Sequence, residues 1–328
     1  MDPEHSNIEP EDPRKPAGEE STPPRMDEFL RALDAYQQGM SDDNPEQVEA
    51  AAINALQLAM EEAEKNPTPA LVLGMEAGEC EARGDWAGAE ACHRKVLALQ
   101  EATGNFGLIF KAHYDLSRLF LLLGDLDRAD VAAGAATSAA RQANMFPVLM
   151  TALENQAYCA LRRADYVRAI KAASEAVEIV EPGSTYTGLL AGALVIRARC
   201  RLASGDLEGA SQDLARARPT LIDRDLSPIL AGSYGRSAAW WEATAGIHAQ
   251  QGDLVGACEA WAEAVKRRRH VASLAHVSGP YTLAALARSL QDLGEALEAT
   301  AKSEESRAAL SEAQNIWREL GLPVQAMR

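Results

Sequence analysis

Lys111, Tyr114, Arg118, Asn155, Tyr158 and Arg199 are the residues of this 328-residue sequence whose types and spacing best suit the holding of a ligand. Lysine and arginine donate charge-assisted hydrogen bonds to an anion, and tyrosine adds apolar area with a polar tip. An asparagine amide donates and accepts at once, so it can grip a peptide bond from both sides. These residues stand out because the chain as a whole is acidic, with a formal net charge of -16 at pH 7. Together they suit an acidic segment of another polypeptide, extended or helical. Covalent chemistry has no comparable signature: no GxGxxG ahead of a helix, no Walker glycine loop, no GxSxG, and no HExxH among His5, His93, His113, His248, His270 and His276. The sequence predicts no catalytic residue, no cofactor and no metal site.

Composition narrows the partners further. The acidic surface repels nucleic-acid phosphate and anionic lipid, which disfavours DNA, RNA and membrane surfaces. No segment approaches the roughly 18 uninterrupted apolar residues of a membrane span, and the N-terminus has no apolar stretch resembling a secretory signal, so a cytoplasmic location is expected. Cys80, Cys92, Cys159, Cys200 and Cys258 are widely spaced, without a CxxC pair, and read as reduced core residues. Hydrophobic residues reach 47% while aromatics are 5%, an apolar share carried by alanine and leucine that predicts a nearly all-helical chain.

The elements that must position the strip are announced by a recurring phrase. Gly124 can end one helix in a left-handed conformation, Asp125 can cap the next, and Leu126, Ala129, Ala133 and Ala136 then share one face. The phrase returns at Gly84-Asp85, Ala164-Asp165, Gly205-Asp206 and Gly252-Asp253, with a weaker form at Ala301. Successive corners stand 40, 40, 41, 47 and 49 residues apart. A small residue recurs seven places before each corner (Ala77, Ser117, Ala157, Ala198, Ala245, Gly294) and five places after it (Ala89, Ala129, Ala169, Ala210, Ala257, Ser306). The expected organisation is a disordered, acidic, proline-rich tail over 1–25, a divergent helix pair acting as a cap over 26–69, and an array of about six helix pairs over 70–328.

This pattern resembles the tetratricopeptide repeat family. Trp241 matches its tryptophan place, Leu293-Gly294 its Leu-Gly pair, Phe120 its aromatic place in the first helix and Tyr166 the aromatic after the corner, while Pro147, Pro182, Pro219 and Pro323 fall near repeat ends. The period exceeds the family's usual length of about 34 residues, as in arrays similar to those of bacterial peptide-sensing regulators, and Arg201 and His248 replace the expected aromatic. The resemblance implies an all-α, right-handed superhelical solenoid of antiparallel helix pairs, whose first helices line a concave groove.

In such a groove the inward places fall on Lys111, Tyr114, Asp115, Arg118 and Leu121, then on Thr151, Glu154, Asn155, Tyr158 and Leu161, and further on Arg199, Glu242 and Tyr281. Similar peptide-binding repeats place an asparagine where Asn155 stands. Their carboxylate clamp is incomplete here, because Gly192 and Ile196 occupy two of its basic places. The implied function is a non-enzymatic scaffold that binds a peptide segment of a partner protein; the alternative is a regulatory sensor of a small signalling peptide. Two features outside the strip have double readings. Lys266 to His270 is a basic run that either meets an acidic partner or complements a helix C-terminus. Of the adjacent Trp240 and Trp241, the second matches the core place and the first is left as an exposed anchor.

Overall fold

The computed structural model describes residues 67–180, 187–222, 231–274 and 279–322, together with Arg31, Ala51 and Asn54 as single positions. The chain divides into two compact units, 1–62 and 63–328, and the second contains every helix discussed below. The tail expected at 1–25 lies outside the described residues, as do Pro182, Pro323 and the helix pair expected over 26–69, its last three positions and those single residues apart.

Among the described residues twelve helices form six antiparallel pairs: α1 (Pro69–Ala82) with α2 (Trp86–Thr103), α3 (Phe106–Leu123) with α4 (Leu126–Ala143), α5 (Phe146–Arg162) with α6 (Tyr166–Ile179), α7 (Thr187–Ala203) with α8 (Leu207–Leu221), α9 (Ala231–Gln250) with α10 (Leu254–Ser273), and α11 (Pro280–Ala299) with α12 (Ser303–Leu320). Pro69 opens α1 behind a Thr68 cap, and Pro147 lies in the first turn of α5, where a missing N–H leaves no bond unmade. The architecture is an all-α superhelical solenoid.

Each expected corner is made by the same local chemistry. Gly84, Gly124, Gly205 and Gly252 have φ of 72, 74, 89 and 79°, and Ala164 and Ala301 adopt the same left-handed region at 58 and 60°. The N–H of the residue after each corner then reaches back to a carbonyl near the end of the preceding helix, as Asp125 does to Phe120 at 2.9 Å and Asp85 to Cys80 at 2.8 Å. Asp85, Asp125, Asp165, Asp206 and Asp253 each accept a hydrogen bond from the backbone N–H three residues on, at 2.9 to 3.2 Å. Lys302 takes that place after Ala301 and makes no side-chain cap.

An L-residue held left-handed costs roughly 1–2 kcal/mol, part of which glycine returns through its freer unfolded chain. Ala164→Gly is therefore expected to raise stability by about 1 kcal/mol, read as a higher urea midpoint, while Gly124→Ala lowers it. A lower midpoint for Ala164→Gly would mean that the corner backbone is not left-handed.

The helices cross on the predicted small residues. Ala77, Ser117, Ala157, Ala198 and Ala245 on first helices and Ala89, Ala129, Ala169 and Ala210 on second helices are all 0% exposed. Where the small residue is serine, its hydroxyl is spent across the crossing: Ser117 Oγ donates to the Ala129 carbonyl at 3.1 Å, and Ser306 Oγ to that of Gly294 at 2.8 Å. A Cβ on Gly294 would lie 2.6 Å from Leu310 Cγ, so that crossing admits only glycine without repacking.

The fourth pair is tied differently. Arg201, in the place where an aromatic was expected, donates to Asp213 Oδ2 at 2.9 Å, and Arg197 meets the same carboxylate with two bonds of 2.8 and 2.6 Å. Asp213 is 1% exposed and Arg197 9%, so an ionic cluster stands inside the wall.

The array also turns back on itself. Leu122 of α3 is buried in the same cluster as Leu286 and Leu290 of α11 and Trp317 and Leu320 of α12, with Trp86 and Leu123 packed against it. Tyr281 Oη, at the start of α11, donates to Glu81 Oε1 of α1 at 2.6 Å, and His93 Nε2 lies 3.0 Å from the same oxygen. Burial pushes the Glu81 carboxyl up, but His93, Tyr281 and Arg118 outweigh it and hold the pKa below its usual value. The last pair thus packs on the first two and narrows the groove.

Candidate functional site

The first helices α3, α5, α7, α9 and α11 wall a cavity of about 450 Å³, which adjoins a second of about 370 Å³. The two share Tyr158, Arg199, Arg268, Ala285 and Arg288, so they form one groove with that cluster at its centre. Tyr114, Arg118, Asn155, Tyr158 and Arg199 of the predicted strip all line it, as do Thr151, Glu154, Leu121 and Tyr281, while Leu161 and Glu242 line the adjoining part.

Lys111 is not among the lining residues. Its ammonium is held 2.6 and 2.7 Å from the two Asp115 oxygens, one helical turn away, and its side chain is 64% exposed. Asn155 lines the groove but is 9% exposed and already gives its Nδ2 to Ser117 Oγ at 2.9 Å. Part of the amide's capacity is therefore spent holding α5 to α3, which leaves less of it to grip a peptide from both sides than the residue type suggests.

The groove holds four arginines that the strip did not include: Arg162, Arg236, Arg268 and Arg288. Arg288 had a signal. It stands 13 residues before Ala301, as Lys111 stands 13 before Gly124, and Asp292 repeats the register of Asp115. Arg236 enters for a reason no register shows. A Cβ on Gly192 would lie 2.6 Å from Arg236 Nε and 2.7 Å from Glu154 Oε1, so the missing side chain makes the space that this guanidinium and carboxylate occupy. The basic place that α7 lacks is filled from α9.

Charge in the groove is unevenly compensated. Arg268 pairs with Glu242 at 2.8 Å, which also accepts from Ser289 Oγ at 2.9 Å, and Arg236 lies 3.8 Å from Glu154. Arg118, Arg199 and Arg288 have no ion-pair partner among the described residues. They lie instead on rings, Arg118 4.1 Å from the Tyr281 centroid, Arg199 5.3 Å from that of Tyr158 and Arg288 5.5 Å from that of Trp317.

The titrating groups register this field. Burial pushes Tyr158 up, yet Arg288, Arg199 and Arg162 together outweigh it and bring its pKa down to about 8. Burial raises Asp292 to about 7, helped by Glu242 and Glu295 and opposed by Arg199 and Arg288. Burial also raises Glu154 above the usual carboxylate range, against the pull of Arg236. Such a site makes charge-assisted hydrogen bonds to anions and offers aromatic faces to apolar groups. No group of three His, Cys, Asp or Glu among the described residues could hold a metal ion.

The basic run and the tryptophans are placed by packing. Arg267 pairs with Glu263, Lys266 lies 3.6 Å from the same carboxylate, and Arg269 reaches Glu312 at 2.5 Å, whereas Arg268 turns inward to the groove. The order of the tryptophans is the reverse of that expected. Trp240 is 6% exposed, and its indole Nε1 donates to the Leu214 carbonyl at 2.8 Å. Trp241 is half-buried, with Arg267 5.3 Å from its ring. The corresponding place in earlier pairs, held by Ala112, Ala152 and Ala193, is also enclosed, and in α9 the larger residue there gives its indole N–H to a carbonyl of α8.

No family model and no curated protein sequence matches this chain. Among solved structures, a Rap protein complexed with Competence and Sporulation Factor superposes with a TM-score of 0.55 at 11% identity, covering 90% of this chain and 97% of that one. The fold is tetratricopeptide-repeat-like. BtubC (BKLC) from P. vanneervenii aligns over 76% of this chain and 92% of its own, with a TM-score of 0.46 and 14% identity. A Podosopora anserina putative kinesin light chain with nearly identical TPR-like repeats aligns over 64% and 95%, at 0.37 and 15%. At 11% identity the likeness to the Rap protein extends to the fold alone and leaves function to the groove. In this tetratricopeptide-repeat-like array the last pair packs on the first two, and α11 lines the groove opposite α3 and α5.

Proposed function

We propose that the array is a non-enzymatic protein-interaction scaffold that binds an acidic segment of a partner protein in its groove. The observation that carries this reading is the set of arginines without ion-pair partners, Arg118, Arg199 and Arg288, lining a concave surface in a chain of net charge -16. An exposed arginine is neutralised by water and salt at little cost, whereas one in a narrow groove is screened less and rewards a matching anion more. Tyr114, Tyr158 and Tyr281 add apolar area for the same segment, and the structural likeness to a Rap protein solved with a bound factor supports a groove of this architecture holding a ligand. The acidic outer surface argues against nucleic acid as the partner. No described helix is long and apolar enough to cross a membrane.

The test is direct binding of a fluorescent glutamate-rich peptide. A charge-assisted hydrogen bond contributes about 1.5–3 kcal/mol, so the double change Arg118→Ala with Arg199→Ala is expected to weaken binding by about tenfold or more, with unchanged circular dichroism. Arg269→Ala, which removes a cation outside the groove, leaves affinity within about twofold. Binding that is lost with Arg269 and kept without the groove arginines would place the interface on the second helices.

A further inference from the structure

Asp292 of α11 lines the second cavity of the groove, and among the described residues it takes part in no hydrogen bond and no ion pair. The other carboxylate of that cavity is spoken for: Glu242 Oε1 accepts from Arg268 Nε and from Ser289 Oγ, both at 2.9 Å. The repeat register shows what a carboxylate at the place of Asp292 does when a cation can reach it. Asp115 stands nine residues before Gly124, as Asp292 stands nine before Ala301, and its two oxygens hold the Lys111 ammonium at 2.6 and 2.7 Å. On α11 the place of Lys111 belongs to Arg288, one turn before Asp292. That guanidinium lies 5.5 Å from the centroid of Trp317 on α12 and makes no ion pair with Asp292. The cation that α3 supplies to its own carboxylate is thus turned aside on α11, where the carboxylate lines a cavity instead.

Resting on the groove reading above, we infer that Asp292 receives an ammonium group of the bound segment, so that the ligand is acidic with one cation rather than acidic throughout. The carboxylates of the segment go to Arg118, Arg199 and Arg288, which lie on rings without ion-pair partners among the described residues. A uniformly acidic ligand brings a further negative charge beside Asp292, and like charges in a partly enclosed groove are screened little by salt. One ammonium at that point replaces the repulsion by a charge-assisted hydrogen bond. Two sources present this chemistry: a lysine within a longer segment, or the free N-terminus of a short peptide.

The test titrates the full chain with a fluorescent glutamate-rich peptide blocked at both ends, and with the same peptide carrying one central lysine, one central acetyl-lysine, or a free N-terminus. The lysine peptide is expected to bind about tenfold tighter than the acetyl-lysine peptide. Asp292→Asn is expected to erase that difference and to leave the blocked peptide bound at least as tightly as before. Glu298→Gln removes an exposed carboxylate of the same helix and is expected to preserve the difference, which separates a local contact from the attraction of an acidic chain for any cation. Acidity gives a second check. Burial raises Asp292 to about 7, helped by Glu242 of α9 and Glu295 of α11 and opposed by Arg199 of α7 and Arg288 of α11, while Arg268 of α10 and Tyr158 of α5 line the same cavity. A bound ammonium favours the ionised carboxylate, so the preference for lysine is present above about pH 7 and fades as the pH falls below it. Lysine itself keeps its proton throughout.

A gain from lysine supports the site on a longer segment, and a gain from the free N-terminus alone supports a short peptide. If neither ammonium improves on the blocked peptide, or if Asp292→Asn keeps the gain, while binding still needs Arg118 and Arg199, the ammonium site is overturned and the groove reading stands. If no peptide of the set binds, both are overturned.

Discussion

Replacing Asp213 by alanine is expected to lower the stability of the array by about 3–5 kcal/mol. The carboxylate is 1% exposed and receives two hydrogen bonds from Arg197 and one from Arg201. Its removal leaves the Arg197 guanidinium, itself 9% exposed, buried without its counter-charge. Arg201 suffers less, because it keeps the Gly209 carbonyl at 3.1 Å and Asp206 at 3.6 Å. The loss is therefore chiefly the cost of one stranded cation, and removing that cation together with the anion should recover most of it. Arg197→Met with Asp213→Leu is expected to lie within about 1–2 kcal/mol of wild type. Urea midpoints of the single and double variants check both statements; a single variant as stable as wild type would show that water reaches Arg197.

Trp240→Ala is expected to cost about 3–5 kcal/mol, and Trp241→Ala distinctly less. The first empties an enclosed site among Leu214, Leu194 and Ile247 and leaves the Leu214 carbonyl without its indole donor. The second removes a ring whose surface is already partly in water, against Arg267 and the rim of the same cluster. Thermal or urea unfolding of the two variants separates them, and the opposite order would restore Trp241 as the core residue. The pair matters for function because α9 carries Arg236 and Glu242 into the groove, so its rotation about its own axis sets where both groups point.

These two residues show where sequence reasoning stops. The repeat register marks Trp241 as the core place from the family pattern, since neither tryptophan is distinguished by type. The deciding fact is a carbonyl on a neighbouring helix, and no local pattern reports which neighbour's backbone has an acceptor to spare. The ionic cluster of Arg197, Arg201 and Asp213 was illegible for a similar reason. Its members are separated by 4 and 12 residues and read as ordinary helix-surface charges until α8 folds back on α7. By contrast, the inward faces of α3, α5 and α7 were legible, because side chains at i, i+3, i+4 and i+7 share a helix face whatever lies opposite. Counting from the corner then names Tyr114, Arg118, Asn155, Tyr158 and Arg199, and the same count from Ala301 would have named Arg288. Lys111 satisfies the count yet is drawn aside by Asp115 one turn along, a competition between two local rules.

By itself the sequence determined the helix pairs, their corners and the small residues at their crossings. These depend on forces that act within a few residues or between adjacent helices: a left-handed backbone at Gly124, a carboxylate cap at Asp125, an alanine that allows close approach at Ala129. The tertiary structure alone decided that the last pair closes on the first, joining Tyr281 to Glu81 across 200 residues, and that arginines from α5, α7, α9, α10 and α11 face one cavity. Closure is the sum of small rotations from one pair to the next. An error of a few degrees at each step, below anything a residue pattern encodes, separates an open groove from one whose far wall supplies Arg288.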